Sequence, residues 1–528
     1  MDTTQGEHLK ARETERSIDD QFNKNQHVNL YTVAVLFFVA LSSAAYGYAG
    51  SIIATTLTQP SFTTHMKLET ASNAEAITGA MNALYYTGGV FGSFFAGWSS
   101  RKFGRKFSTG FGNSLLVISG ALMTAAVNPS MFIAFRFLSG FGSMVIIATV
   151  PVWIAELSPP RIRGLLGDIH AVMMMVGYTL ACYVGLGFYF VEGRNQWRGP
   201  IALQMALPVI ILAGLYWMPE SPRFLLSKDR SEEARQILLR MHSGSNDPDH
   251  EFARREFFQI KKQIRLDAQF ETSYWSIIKK SSMRKRLAMT VFLEFALMSS
   301  GVLVILNYGS IIWKSLGFDT VQILNFQCGF QLTGFVFNVV AMAFVERVRR
   351  HWLIASGLFG CGTLVGILAA LQRFYLGGTD NTGLGACVAI IFLFQATFSL
   401  TVDGATYFYI AEIWPSHVRS QGLAIAMATL SATNLMWLQA TPSAMSKISW
   451  RWYLIFCCIP VSAAVVVILW FKDTRNKPLE EIAAIFGDED MVAVYQRELN
   501  IGALRERNDD DSGKTRLTEA MVETVEEV

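Results

Sequence analysis

Carboxylates and guanidinium groups recur in this chain at a spacing that could make and break ion pairs. Ala155-Glu156, Pro159 and Arg163 in PVWIAELSPPRIRG return with the same internal spacing as Ala411-Glu412, Pro415 and Arg419 in FYIAEIWPSHVRSQG, 256 positions later. Each copy stands where a long apolar run meets a polar loop. Lys102, Arg105, Glu220, Arg223 and Arg347 stand at neighbouring run ends, and together these charges are candidates for gating. Exposed ion pairs bias an equilibrium by ~0.3–1 kcal/mol each, and more where a closed interface excludes water. Two conformations that differ by a few kcal/mol need no more than such a network. The bland alternative is that the charges only anchor the ends of the runs, and the repeated spacing argues against it.

Two acids, Glu294 and Asp403, lie within apolar runs. An ionisable group in hydrocarbon is a functional candidate by default, here for titration coupled to movement of a solute, with a structural role as the alternative. No nucleophile–base pair, metal-ligating cluster or phosphate-cradling glycine loop occurs at workable spacing. All six cysteines fall inside apolar runs, which implies no disulfide framework and no metal site. Neither an enzyme nor a cofactor is expected. The close glycines of RFLSGFGSM lie within a span and suit tight helix contact.

The elements that must position these groups are membrane spans. Hydrophobic residues make up 51% of the chain and charged residues 16%, and the apolar runs reach the roughly 20 residues needed to cross ~30 Å of hydrocarbon. Spans begin near Leu30, Ile77, Ser108, Met131, Leu166 and Ile201, then near Leu287, Val321, Leu353, Leu384, Gln421 and Trp452. The expected fold is an all-α membrane protein with twelve transmembrane helices in two six-helix bundles, 28–219 and 287–472. A charged helical linker (220–286) joins them, and the polar tails are 1–27 and 473–528. A duplicated half-molecule inside a membrane is the signature of a secondary transporter. Basic residues after the even spans, among them Arg101, Lys102, Arg105, Lys106, Arg161, Arg163, Arg347, Arg349 and Arg350, place both termini and the linker in the cytoplasm. The net charge of +3 is then a topological signal, and the expected partners are a small-molecule substrate, protons and the lipid bilayer rather than nucleic acid. Met1 to His27 lacks the basic, then apolar, pattern of a cleaved signal peptide.

Six motifs occur in a fixed order: GWSSRKFGRK (97–106), RFLSGFG (136–142), the first Ala-Glu run, PESPRFL (219–225), the second Ala-Glu run and DTRNKPLEEI (473–482). Together they resemble the sugar porter family of the major facilitator superfamily, and TVDGATYFYIAEIWPSHVRSQG is most similar to its fungal branch. The resemblance implies an alternating-access carrier of a sugar, polyol or sugar-like molecule, at the plasma membrane.

The chain departs from that family at informative positions. Arg101 stands where an acid is usual, and Arg349 where glycine is usual. Hexose carriers present a Gln-Gln pair and an Asn on the seventh span and a Gln on the fifth. Here Leu297, Met298, Leu303 and Ala171 occupy those positions, leaving His170, Asn307, Tyr407 and Asn434 as polar candidates for the substrate site. A buried sugar hydroxyl that loses its partner costs roughly 1–3 kcal/mol, so a less polar metabolite, moved in either direction, is the alternative cargo. A transport-dead sensor is a further alternative, disfavoured because the segment after Ile482 is short. The first-span acid usual in proton-driven members is Ala49 here. That leaves Arg136 without its usual counter-charge and makes Arg136, Glu294 and Asp403 the coupling candidates.

Overall fold

The computed structural model describes residues 29–159, 163–242, 251–270, 272–344, 348–375, 381–474, 482 and 485–488, without the side chains of 163–168, 251, 252, 315, 344 and 381. Among these residues twelve long helical spans alternate in direction. They are α1 (Leu30–Thr56), α2 (Ala74–Lys102), α3 (Arg105–Thr124), α4 (Pro129–Leu157), α5 (Arg163–Tyr189) and α6 (Asn195–Leu215), then α7 (Ser281–Lys314), α8 (Thr320–Phe344), α9 (Arg350–Tyr375), α10 (Thr382–Ile413), α11 (Arg419–Ile448) and α12 (Trp452–Trp470). Large apolar side chains such as Phe91, Ile210, Phe359, Leu469 and Trp470 are exposed around the outside. Such a surface is tolerable only against lipid.

Within the first half, helices approach backbone to backbone. A Cβ on Gly140 of α4 would lie 1.7 Å from the Tyr85 carbonyl oxygen of α2, and one on Gly88 of α2 would lie 2.0 Å from that of Phe137 on α4. The α1–α5 pair repeats the device, with Gly47 against Met174 and Gly177 against Ala44. Without a hydrophobic drive between helices in lipid, close van der Waals contact of this kind is what holds spans together.

Two spans of the second half are interrupted. Helix α7 breaks at Ser299–Gly301, where Gly301 takes φ 86°; any Cβ there would also press on Phe456. A buried hydroxyl at the break is used, since Trp437 Nε1 donates to Ser299 Oγ at 3.0 Å. Helix α10 widens into a π-turn over Ser399–Asp403, a rare geometry that is frequent at functional sites.

The halves meet along α2 and α11 and along α5 and α8. Contacts occur at both ends of the molecule: Ser446 Oγ to Glu75 Oε2 at 3.1 Å at one, and Gly97 against Ala424 near the other. The halves therefore touch near both ends of the α2–α11 pair. The face bearing the linker carries the helices Pro222–Leu226, Ser231–His242, Glu251–Asp267 and Tyr274–Lys279, packed around Leu225, Leu238, Phe257 and Ile260.

That linker is fastened to both halves. On the first, His242 Nε2 lies 3.0 Å from the Leu157 carbonyl while Nδ1 lies 2.5 Å from Glu256 Oε2, and Thr32 Oγ1 donates to the Met241 carbonyl. On the second, Ser416 Oγ donates to Asp267 Oδ1 at 2.7 Å, and Gln421 Nε2 to the Thr272 carbonyl at 2.6 Å. Burial raises the Asp267 carboxyl above its ordinary range, opposed by the Ser416 bond and by Arg223 and Arg419.

Candidate functional site

Charged helix ends on the linker face form two related clusters. In the first half Arg105 Nη2, at the start of α3, donates to Glu156 Oε1 at 2.8 Å, and Glu156 Oε2 accepts from Ser221 Oγ at 2.6 Å. In the second half Arg350 Nη2, at the start of α9, donates to Glu412 Oε1 at 3.2 Å, and Glu412 Oε2 accepts from Thr474 Oγ1 at 2.6 Å. Each cluster ties the ends of three helices within one half. The serine that follows α6 and the threonine that follows α12 thus do the same work, 65 and 62 residues after their glutamates.

Glu220 caps α3. Its Oε1 accepts from the backbone N–H of Arg105 at 3.0 Å and of Ser221 at 2.8 Å, so a carboxylate meets the positive end of the helix dipole. Burial raises this carboxyl's pKa, and the backbone donors of Ser221, Lys106 and Arg105 oppose the rise. Gly104, at φ 99°, makes the approach feasible: a Cβ there would sit 2.2 Å from Glu220 Oε2.

Several gating candidates stand elsewhere. Arg223 Nη2 donates to Gln263 Oε1 at 3.0 Å, so it fastens the linker rather than the helix ends. Lys102 projects over the rings of Trp98 and Phe103, where an exposed ammonium finds an aromatic face more readily than a carboxylate. Arg419 Nε donates to the Trp414 carbonyl and so closes the end of α10. Arg101, where an acid is usual, donates to the Thr272 carbonyl of the linker. Arg347 and the Arg163 side chain lie outside the described residues. Among the described residues the cation that reaches Glu412 is Arg350, in the first turn of α9.

Between the halves, a narrow space with room for about one water is bordered by α1, α5, α7 and α8, with Ala54, Cys182, Leu306, Trp313, Gln327 and Gln331 on its wall. That is far below the ~300–1,000 Å³ of ordinary ligand pockets. Its polar groups are amides. Neither side-chain polar atom of Gln327 has a hydrogen-bond partner, and Gln331 Nε2 reaches across to Ser51 Oγ of the first half at 3.5 Å. On nearby helices the amides of Asn82 and Asn307 stand within reach of the Tyr308 and Tyr86 hydroxyls. Buried polar atoms are almost always paired, so the unpartnered Gln327 calls for an occupant.

The polar substrate candidates are dispersed. His170 Nδ1 is engaged by Ser43 Oγ at 2.6 Å. Asn434 Nδ2 contacts Met298 Sδ at 3.2 Å, and Asn307 Nδ2 donates to the Leu303 carbonyl at 2.9 Å. Tyr407 lies within electrostatic reach of Glu294, Asp403, Tyr46 and Tyr86. Leu297 and Met298 do not border the space; both are buried in the apolar core, and Leu303 packs against that core. The physical reason is the break at Ser299–Gly301, beyond which Ile305 and Leu306 of α7 turn towards the space. The seventh-span departures therefore say little about the wall.

Gln327 and Gln331 were missed although their signal was plain. They are two amides four residues apart, hence on one helix face, in an otherwise apolar span.

Arg136 is not left bare. Its Nε donates to the Met81 carbonyl at 3.2 Å and its Nη1 to the Ala49 carbonyl at 3.1 Å, while the guanidinium stacks 4.4 Å over Tyr85. Carbonyl dipoles and a π-face replace the counter-ion, one of them from the residue that stands in the acid's place. Glu294 is fully buried, and neither of its carboxyl oxygens has a hydrogen-bond partner. Asp403 Oδ2 accepts from Asn338 Nδ2 at 2.8 Å.

Comparison with known proteins agrees with this architecture. The family described as "Sugar (and other) transporter" matches residues 35–486. The MFS-type transporter criB of Aspergillus cristatus is 30% identical over 86% of this chain and 92% of its own length. The high-affinity glucose transporter of Kluyveromyces lactis is 28% identical over 88% and 87%. Among solved structures, that of the proton:xylose symporter XylE bound to 6-bromo-6-deoxy-D-glucose superposes with a TM-score of 0.75 at 23% identity, covering 87% of this chain and all of XylE. Twelve helices in two halves, a repeated charged motif at the helix ends and a polar space between the halves are the parts of a secondary carrier, and the chain belongs to the sugar transporter family of the major facilitator superfamily.

Proposed function

We propose that this carrier moves a sugar or polyol, bound between α1, α5, α7 and α8 once movement of the halves widens the narrow space there. The observation that carries the reading is Gln327, an amide with two donors and an acceptor pairing option, buried without a partner on the wall. Gln331 stands one turn away, and the rings of Trp313 and Phe330 complete the wall. Amides satisfy vicinal hydroxyls, and aromatic faces cover the apolar side of a sugar ring. Named relatives that carry glucose support the class.

Uptake of labelled D-glucose, D-xylose and sorbitol by cells lacking their own hexose carriers tests it. Gln327→Leu and Gln331→Leu should each lower uptake of the preferred solute about 5- to 100-fold, equivalent to the roughly 1–3 kcal/mol of a lost buried hydrogen bond. Wild-type movement of apolar metabolites in preference to all three solutes would overturn the reading. We place the linker and both termini in the cytoplasm of a plasma-membrane protein, on the strength of Arg101, Lys102, Arg105, Lys106, Arg349 and Arg350 on one face.

A further inference from the structure

We propose that Glu294 and Asp403 form a proton-binding pair inside the second half, and that the proton it carries is coupled to movement of the solute. The inference rests on the carrier reading but not on the cargo being a sugar. Glu294 is 0% exposed, and both of its oxygens are buried without a partner. An ionised carboxylate cannot be held in that way; it neutralises by taking up a proton. Among the described residues no cation pairs with either acid, and Asp403 is the charged group that acts on Glu294. Two carboxyls in mutual reach share one proton more readily than they both ionise.

Their surroundings divide the roles. Asn338 donates to Asp403, which favours its carboxylate form, whereas Glu294 has no donor and suits the protonated form. The other titratable groups around the pair are phenols. Tyr407, one turn beyond Asp403, reaches both acids; Tyr46 on α1 of the opposite half reaches Asp403; and Tyr86 of α2 and Tyr178 of α5 stand next to Tyr407. From α8 the facing group is the Asn338 amide. On α9 and α11 the cations Arg350 and Arg419 are engaged at the linker face. Tyr46, on the opposite half and in electrostatic reach of Asp403, is in this proposal the group that covers the pair across the gap. When the halves separate on one side, the cover moves and the proton exchanges with that side. The π-turn supplies the local geometry, since its wide turn sets Asp403 at the end of Ser399–Asp403.

Infrared difference spectra of the purified full chain in lipid bilayers, titrated with acid and base, test the pair without any solute. We expect a protonated-carboxyl C=O band that shifts in D2O, disappears in Glu294→Gln and changes in Asp403→Asn. In proteoliposomes loaded with the solute that the cell panel prefers, a pH gradient of about one unit should support up to about tenfold accumulation by the wild type. Glu294→Gln should accumulate nothing while keeping solute counterflow, which shows that the variant still folds and carries. A carboxyl band untouched by Glu294→Gln overturns the proposal, as does accumulation that follows a sodium gradient instead. Should D-glucose, D-xylose and sorbitol all fail to move in the wild type, the sugar reading falls, and the infrared band alone decides the pair.

Discussion

Gly140→Val should prevent the first half from assembling. The α2–α4 contact leaves no room: the added Cβ would lie 1.7 Å from the Tyr85 carbonyl oxygen and within 2.8 Å of two further backbone atoms of that residue. Overpacking against mobile side chains costs typically ~1–3 kcal/mol. Here the obstacle is backbone, so the helices themselves must part, and Gly88 on the opposite face loses its close contact with Phe137 in the same movement. Gly177→Val should fail likewise through the Ala44 carbonyl, 2.1 Å from its Cβ. Thermal unfolding in detergent, followed by a thiol-reactive dye that reports the buried Cys182, Cys361 and Cys387, should show little folded protein for either variant. Gly187→Ala and Gly385→Ala, whose Cβ atoms meet nothing within 4 Å, are the controls. Equal stability of the Gly140 and Gly187 variants would mean that α2 and α4 pack less closely than the structure has them.

These glycines show what could be read beforehand. The close spacing in RFLSGFGSM pointed to helix contact, and the two Ala-Glu runs pointed to two halves, because both signals are local patterns that recur. The partner of each was not visible. Tyr85 is 55 residues from Gly140, and no periodicity links a glycine on one span to a carbonyl on another. The charged clusters divide in the same way. Glu156 and Glu412 were legible from their repeat, but Ser221 and Thr474 were not, since a hydroxyl after a long span looks like any loop residue until the helix ends converge. The lining of the space between the halves was the least legible. Leu297, Met298 and Leu303 could be placed on the seventh span by position, but which of them face the gap is not a property of spacing, and the unpartnered state of Gln327 exists only in three dimensions.

The two charged clusters should prove unequal, although they are copies. In the first, both side chains are 12% exposed, whereas in the second Glu412 is 29% exposed and Arg350 9%. Water at Glu412 screens that pair and can solvate the carboxylate when its partner is removed. Coupling in a double-mutant cycle of Arg105→Ala with Glu156→Ala should therefore reach about 1–3 kcal/mol, between the values of exposed and fully buried pairs, and that of Arg350→Ala with Glu412→Ala about 0.2–1 kcal/mol. Transport should follow the same order. Arg105 is anchored twice over, through its side chain to Glu156 and through its backbone N–H to Glu220, so loss of Glu156 frees the end of α4 from α3 and from the Ser221 turn together. The three ends would then no longer move as a unit when the linker face opens, and turnover should drop more for Glu156→Gln than for Glu412→Gln. Both readouts bear on one question, whether the clusters hold rigid ends within each half or bind the halves to each other. Coupling between Glu156 and Arg419, across the halves, would favour the second; none is expected, because both Glu156 oxygens are taken by Arg105 and Ser221 of its own half.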